Sequence, residues 1–211
     1  MDVTEKLIER IVQDATPVKA AGHPFVLSAK WLGGMLAYLA ISVAALHVRP
    51  DLMIKLQSPL FMAEIGLLAC IMITTAVSAA LLVFPDMHQK RWLAFAPGLM
   101  AVFFVSVIFL AWQADSPAAP PPVHNLKCTL SIAMLALLPA LWMFYLMRNF
   151  ASTHPYSAGS IALLSAFSMG ALSLRLTEPT DSIMHVVQWH YLPMVAAGVV
   201  GLWLGKKFLK W

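Results

Sequence analysis

Between Val186 and Gly205 the chain runs VVQWHYLPMVAAGVVGLWLG, twenty residues without a charged side chain. A helix of about 20 apolar residues spans the hydrocarbon core of a bilayer. The run is followed by KKFLKW, which puts Lys206, Lys207 and Lys210 directly behind it. Lys and Arg beside a membrane helix are retained on the cytoplasmic side. The C-terminus is therefore expected to be cytoplasmic, and each earlier crossing can be counted back from it.

The rest of the chain has the same texture. It is 60% hydrophobic and 11% charged over 211 residues, whereas a soluble domain carries about 25% charged residues. That points to one domain lying mostly in a lipid bilayer. The net charge of +4 does not indicate a nucleic-acid partner, because the 14 basic residues are scattered rather than gathered on one face. No signal peptide is expected, since the first apolar run starts near Phe25, behind a mixed-charge segment. Two cysteines, Cys70 and Cys128, are too few for a disulfide framework.

The expected fold is all-α: a polytopic, six-helix transmembrane bundle behind a short amphipathic N-terminal helix. The crossings are placed at about 25–47, 60–84, 92–112, 126–147, 158–174 and 186–205, with 1–24 as a separate N-terminal segment. Within that segment Val3, Leu7 and Ile11 recur every four positions, with Ile8 and Val12 beside them. They form one apolar stripe on a helix. Thr16-Pro17 and His23-Pro24 are expected to end it and to form a stiff linker. A piece this small holds no core of its own, so the stripe must rest on a membrane, the bundle or a partner.

An even number of crossings puts both termini on one side. Lys6, Arg10, Lys19, Lys30, Lys90, Arg91, Arg148, Lys206, Lys207 and Lys210 fall on the expected cytoplasmic side, and Arg49, Lys55, Lys127 and Arg175 on the other. This asymmetry supports an orientation with both ends inside. Two crossings carry small residues every four positions: Ala158, Ala162, Ala166 and Gly170 in the fifth, Ala197, Gly201 and Gly205 in the sixth. Such ridges let helices approach closely in lipid, and the two crossings are expected to pack along them.

Chemistry-bearing residues are sparse. A coupled transporter needs ionisable groups at mid-membrane. Glu64 lies near the start of crossing two and is read as a boundary carboxylate. Thr74, Thr75 and Ser78 are mid-helix hydroxyls of the kind that bond to their own backbone. No HExxH, GxSxG or carboxylate pair is present, so no enzymatic activity is expected. At the outer face Cys128 follows His124 by four positions. His47, Met53, Glu178, Asp181, Met184, His185 and His190 are expected near it. These donors suit a soft or borderline metal, yet their spacing forms no compact ligand motif, so neither a metal site nor a cofactor is assigned. Cys128 is the candidate reactive thiol, and Cys70 is read as a small packing residue inside crossing two.

Several stretches, in this order, resemble the NrsF family of six-helix membrane anti-sigma factors. TPVKAAGHP before the first crossing is similar to the family's Pro-Val segment, and HVRPDL, with Arg49, Pro50 and Asp51, to its Arg-Pro-Asp-Leu turn. KCTLSIAMLALLPALWMFYLMR resembles its Cys-led fourth crossing, and GVVGLWLGKKFLKW its Gly-rich last helix and basic terminus. The resemblance implies a regulator that holds an extracytoplasmic-function sigma factor at the bacterial inner membrane and releases it on an envelope signal, redox or metal. It also implies sensing through two outer cysteines. One matches Cys128. The other would fall in LRLTEP, where this chain has Thr177 next to Glu178, so no second thiol is present. The family's Trp-Tyr pair is interrupted here as Trp189-His190-Tyr191.

On this reading Leu7, Ile8, Ile11 and Val12 anchor the sigma factor, since an amphipathic helix lying in a partner's groove is a common recognition mode. Cys128 is the sensor, with His124, His185 and His190 as secondary sensor residues. The alternatives are a small membrane transporter or channel, which requires solute flux through reconstituted vesicles, and a membrane scaffold subunit, which requires membrane partners in place of a sigma factor.

Overall fold

The computed structural model describes residues 3–13, 23–84, 91–114, 126–150, 152 and 154–209. Among these residues the chain is helical, with no strand. Backbone N–H and C=O groups inside a bilayer find no water, so a spanning segment must satisfy them within itself, as a helix does. Helix α1 is Val3–Gln13 and α2 is Pro24–Leu46. A single turn, α3 (Leu52–Lys55), leads into α4 (Pro59–Leu82). Helices α5 (Arg91–Ala114), α6 (Leu126–Met147) and α7 (Pro155–Thr177) follow. The last crossing is composite: α8 (Ile183–Val186), a π-helical turn (Val187–Tyr191), then α9 (Leu192–Phe208). Six helical stretches are long and apolar enough to cross a membrane.

Proline sets several helix starts. Pro24, Pro59 and Pro155 each open a helix, where the missing N–H would have no intrahelical partner anyway. Pro24 therefore begins the first crossing and is not part of a linker. The Thr16-Pro17 half of that expected linker lies outside the described residues. His23 caps α2, its Nδ1 accepting from the Phe25 amide at 3.3 Å.

Helix α7 is the most buried crossing and packs on α9, α4, α6 and α2, whereas α5 lies against α4 at the rim. Two cores stack along the bundle. One gathers Trp31, Met35, Ala76, Ala136, Met143 and Ala162; the other gathers Leu68, Phe104, Cys128, Ile132, Val186 and Tyr191. The second lies at the end where α7 gives way to the 178–182 turn.

The close approach of crossings five and six differs in detail from the expected ridges. A Cβ on Gly201 would lie 2.6 Å from the Gly159 carbonyl oxygen and 2.7 Å from Ser160 Cα, and one on Gly205 would strike the Pro155 carbonyl. Gly159 therefore supplies α7's side of that contact. Gly170 instead abuts the Ile132 carbonyl of α6, at 2.8 Å from an added Cβ. Ala158, Ala162 and Ala166 belong to the first core.

Two other sequence expectations change. Cys70 is exposed on α4 and is not a packing residue. Glu64 is buried and paired, not a free boundary carboxylate. The α4 sequence is apolar on every side, so composition does not tell its inner face from its outer one. Thr74 and Thr75 donate to the carbonyls of Cys70 and Ile71, one turn back on their own helix.

No residue of α1 is buried. Val3, Leu7, Ile8, Ile11 and Val12 are all exposed, leaving the stripe uncovered.

Candidate functional site

Four segments converge at the end of the second core where α7 gives way to the 178–182 turn. Cys128 sits in the first turn of α6 and is buried. Glu178 is the C-cap of α7, its amide donating to the Leu174 carbonyl at 2.8 Å. His185 lies in α8, whose start is fixed by Ser182. His190 lies in the π-turn. A π-turn closes i→i+5 bonds and so fits one extra residue into a helix, often at functional sites. Here the turn contains His190, the residue that interrupts the Trp-Tyr pair. Thr129 Oγ1 donates to the Trp189 carbonyl at 2.9 Å, fastening the turn to α6.

Cys128 Sγ is 3.3 Å from both Glu178 carboxylate oxygens and 3.4 Å from His185 Nε2. The thiol thus donates toward the Glu178 carboxylate, with the His185 ring nitrogen donating or accepting according to its tautomer. Glu178 Oε1 also accepts from Thr180 Oγ1 at 3.1 Å. His190 Nε2 is 3.7 Å from Glu178 Oε2, beyond hydrogen-bond reach. The His190 ring is fully buried, and neither nitrogen has a hydrogen-bond partner among the described residues. The two imidazoles meet edge to face, with centroids 5.5 Å apart.

A second polar group lies beside the first. Arg175 Nε and Nη2 donate to Glu64 Oε1 and Oε2 at 2.8 and 2.9 Å. Tyr191, next to His190, donates its hydroxyl to the same carboxylate. Arg175 Nη1 donates to the Thr180 carbonyl at 3.0 Å. Nearer the surface, Arg49 holds Asp51 through two bonds of 2.7 and 2.8 Å and reaches Asp181 at 3.0 Å. Those bonds from Arg49 hold the Asp51 carboxyl below its usual range. The turn at 178–181 therefore touches α6 through Glu178, α7 through Thr180 and the α2–α4 connection through Asp181.

Of the residues expected at this face, the structure joins Cys128, Glu178, His185 and His190. His47 and Met53 are exposed, and Asp181 is taken by Arg49 and Lys55. His124 lies outside the described residues. The Glu64–Arg175–Tyr191 group was not legible in the sequence, where Arg175 counted only as an outer-side cation.

The family described as NrsF, Negative regulator of sigma F, matches residues 11–211. The chain belongs to this family. An NrsF relative from Azospira oryzae, "Probable anti-sigma-F factor NrsF", is 28% identical over 218 residues, covering 99% of both chains. "Anti-sigma-F factor NrsF" of Caulobacter vibrioides is 24% identical over 213 residues, again covering 99% of each. No solved structure matches. The NrsF match starts at Ile11, so Leu7 and Ile8 lie ahead of it. Where the NrsF resemblance leaves the second thiol's place to Thr177–Glu178, this chain sets the Glu178 carboxylate against Cys128.

Proposed function

We propose that this chain is a bacterial inner-membrane anti-sigma factor that holds an extracytoplasmic-function sigma factor through α1 and releases it on an envelope signal. The observation that carries this reading is the uncovered apolar stripe of Leu7, Ile8, Ile11 and Val12. Apolar side chains at this spacing gain free energy by leaving water, for which a membrane surface or a partner's groove would serve, and the family favours the groove. The excess of Lys and Arg on the N-terminal side supports a cytoplasmic α1. Membership in a family described as negative regulators of sigma F supports the class of partner. The Lys206 and Lys207 side chains add positive charge at the same face. Cys128, at the opposite end, is the sensor residue on this reading, with His185 and His190 beside it and His124 a few residues ahead.

The test is deletion of residues 1–24 with membrane insertion of the remainder verified. Transcription from the sigma factor's target promoters rises if α1 is the capture element. Unchanged transcription with the bundle inserted rejects the reading. Replacing Cys128 with Ser tests the sensor: induction by oxidants or metal salts is lost if the thiol reads the signal, and persists if it does not.

A further inference from the structure

Beside Cys128 and Glu178, His190 is buried with both ring nitrogens unpaired among the described residues. A buried polar atom without a partner costs about 1–3 kcal/mol, and such an atom calls for a reason, an ion being one.

We infer that Cys128, Glu178, His185 and His190 form a binding site for a borderline divalent transition-metal cation, with zinc as the fitting ion. One donor atom from each lies within 4.8 Å of all the others. Metal–ligand bonds of about 2.0–2.3 Å in a tetrahedron imply donor–donor edges of roughly 3.3–3.8 Å. Three edges are already at that length: Sγ to the Glu178 oxygens at 3.3 Å, Sγ to His185 Nε2 at 3.4 Å, and His190 Nε2 to Glu178 Oε2 at 3.7 Å. The remaining edges, none longer than 4.8 Å, need to contract by about 1.5 Å at most.

The donor types select the ion. A thiolate and two imidazoles disfavour magnesium and calcium, which take oxygen, and suit zinc and its neighbours. Binding releases the thiol proton to solvent. Thiolate and carboxylate together then cancel the charge of a divalent cation, so the filled site carries no net charge into a buried place. Arg175 does not oppose it, since Glu64 already holds that guanidinium. Glu178 is partly exposed and borders a groove of about 450 Å³ lined by Ser131, Met134, Thr177 and Pro179, which gives the ion a way in. Thr180, bonded to Glu178 Oε1, fixes the carboxylate's orientation.

The site involves neither α1 nor any sigma factor, so its failure leaves the regulatory reading standing. The test uses the full chain, purified metal-free in detergent and titrated with cobalt(II) as a spectroscopic probe and then with zinc. A near-ultraviolet thiolate-to-cobalt band should saturate at one equivalent and be displaced by zinc. It should vanish in Cys128→Ser and survive in Cys70→Ser. His190→Gln and Glu178→Gln should each weaken zinc binding by about 10-fold or more. Absence of the band, or its persistence in Cys128→Ser, overturns the site. If Cys128→Ser does not keep its helical circular dichroism, the two Gln variants decide: wild-type affinity in both rejects the proposal.

Discussion

Glu64 of α4 and Arg175 of α7 meet as a two-point charge pair, 2.8 and 2.9 Å long, across 111 positions of sequence. Both side chains are almost wholly buried. Tyr191 closes the carboxylate from a third side, and Phe61 lies under the guanidinium at 5.0 Å. Together with Tyr191 the pair locks three crossings to one another.

Removing one partner strands the other charge. Glu64→Gln should lower stability by about 3–5 kcal/mol, the usual cost of breaking a buried ion pair. Replacing both residues with apolar side chains of similar size should cost much less. Thermal unfolding in detergent of wild type, Glu64→Gln and the double variant measures both effects.

The glycine contact between α7 and α9 makes a second prediction. Gly201→Ala places a methyl group 2.6 Å from the Gly159 carbonyl, where only backbone stands to give way. Separation of the helices should cost about 1–3 kcal/mol. Gly66→Ala is the control, because nothing lies within 4 Å of its added Cβ. There the better helix propensity of Ala should leave stability unchanged or slightly raised.

Arg49 and Asp51 give a pH dependence of definite sign. The Asp51 carboxyl is held below its usual value of 3.8, chiefly by the bonds from Arg49. A carboxylate with a lowered folded-state pKa stabilises the fold above its unfolded value and loses that contribution as pH falls through the folded one. The melting temperature of wild type should therefore exceed that of Asp51→Asn above pH 3.8, and the gap should close as the solution is acidified further.

Charging the stripe separates capture from folding. Leu7→Glu or Ile11→Glu should raise target transcription as the deletion does. Both side chains are more than half exposed, so the bundle's stability should move by less than about 0.5 kcal/mol. A reporter assay alongside melting of the purified variants checks the two halves.

The crossings were legible because length and apolarity are local properties. Six runs bounded by charges, Trp and Pro leave little freedom in a bilayer. Side-chain partners were not local. Cys128 and Glu178 are 50 positions apart, and Cys128 and His185 57. Their meeting depends on how α7 lies on α6 and on a helical turn that no short motif announces. Counting crossings puts His190 near the same face as Cys128, but only the π-turn shows why it faces Glu178. Cys70 and Glu64 were misplaced for a related reason. In a helix greasy all round, periodicity does not say which side meets protein and which meets lipid.

The π-turn also fixes a phase relation between the two halves of the final crossing. An α-helix advances about 100° per residue. Excising a single residue from Val187–Tyr191 and letting the segment wind regularly would swing Ile183–Val186 by about that angle relative to Leu192–Phe208. His185 would then be turned away from Cys128, with every long helix still threaded through the bilayer.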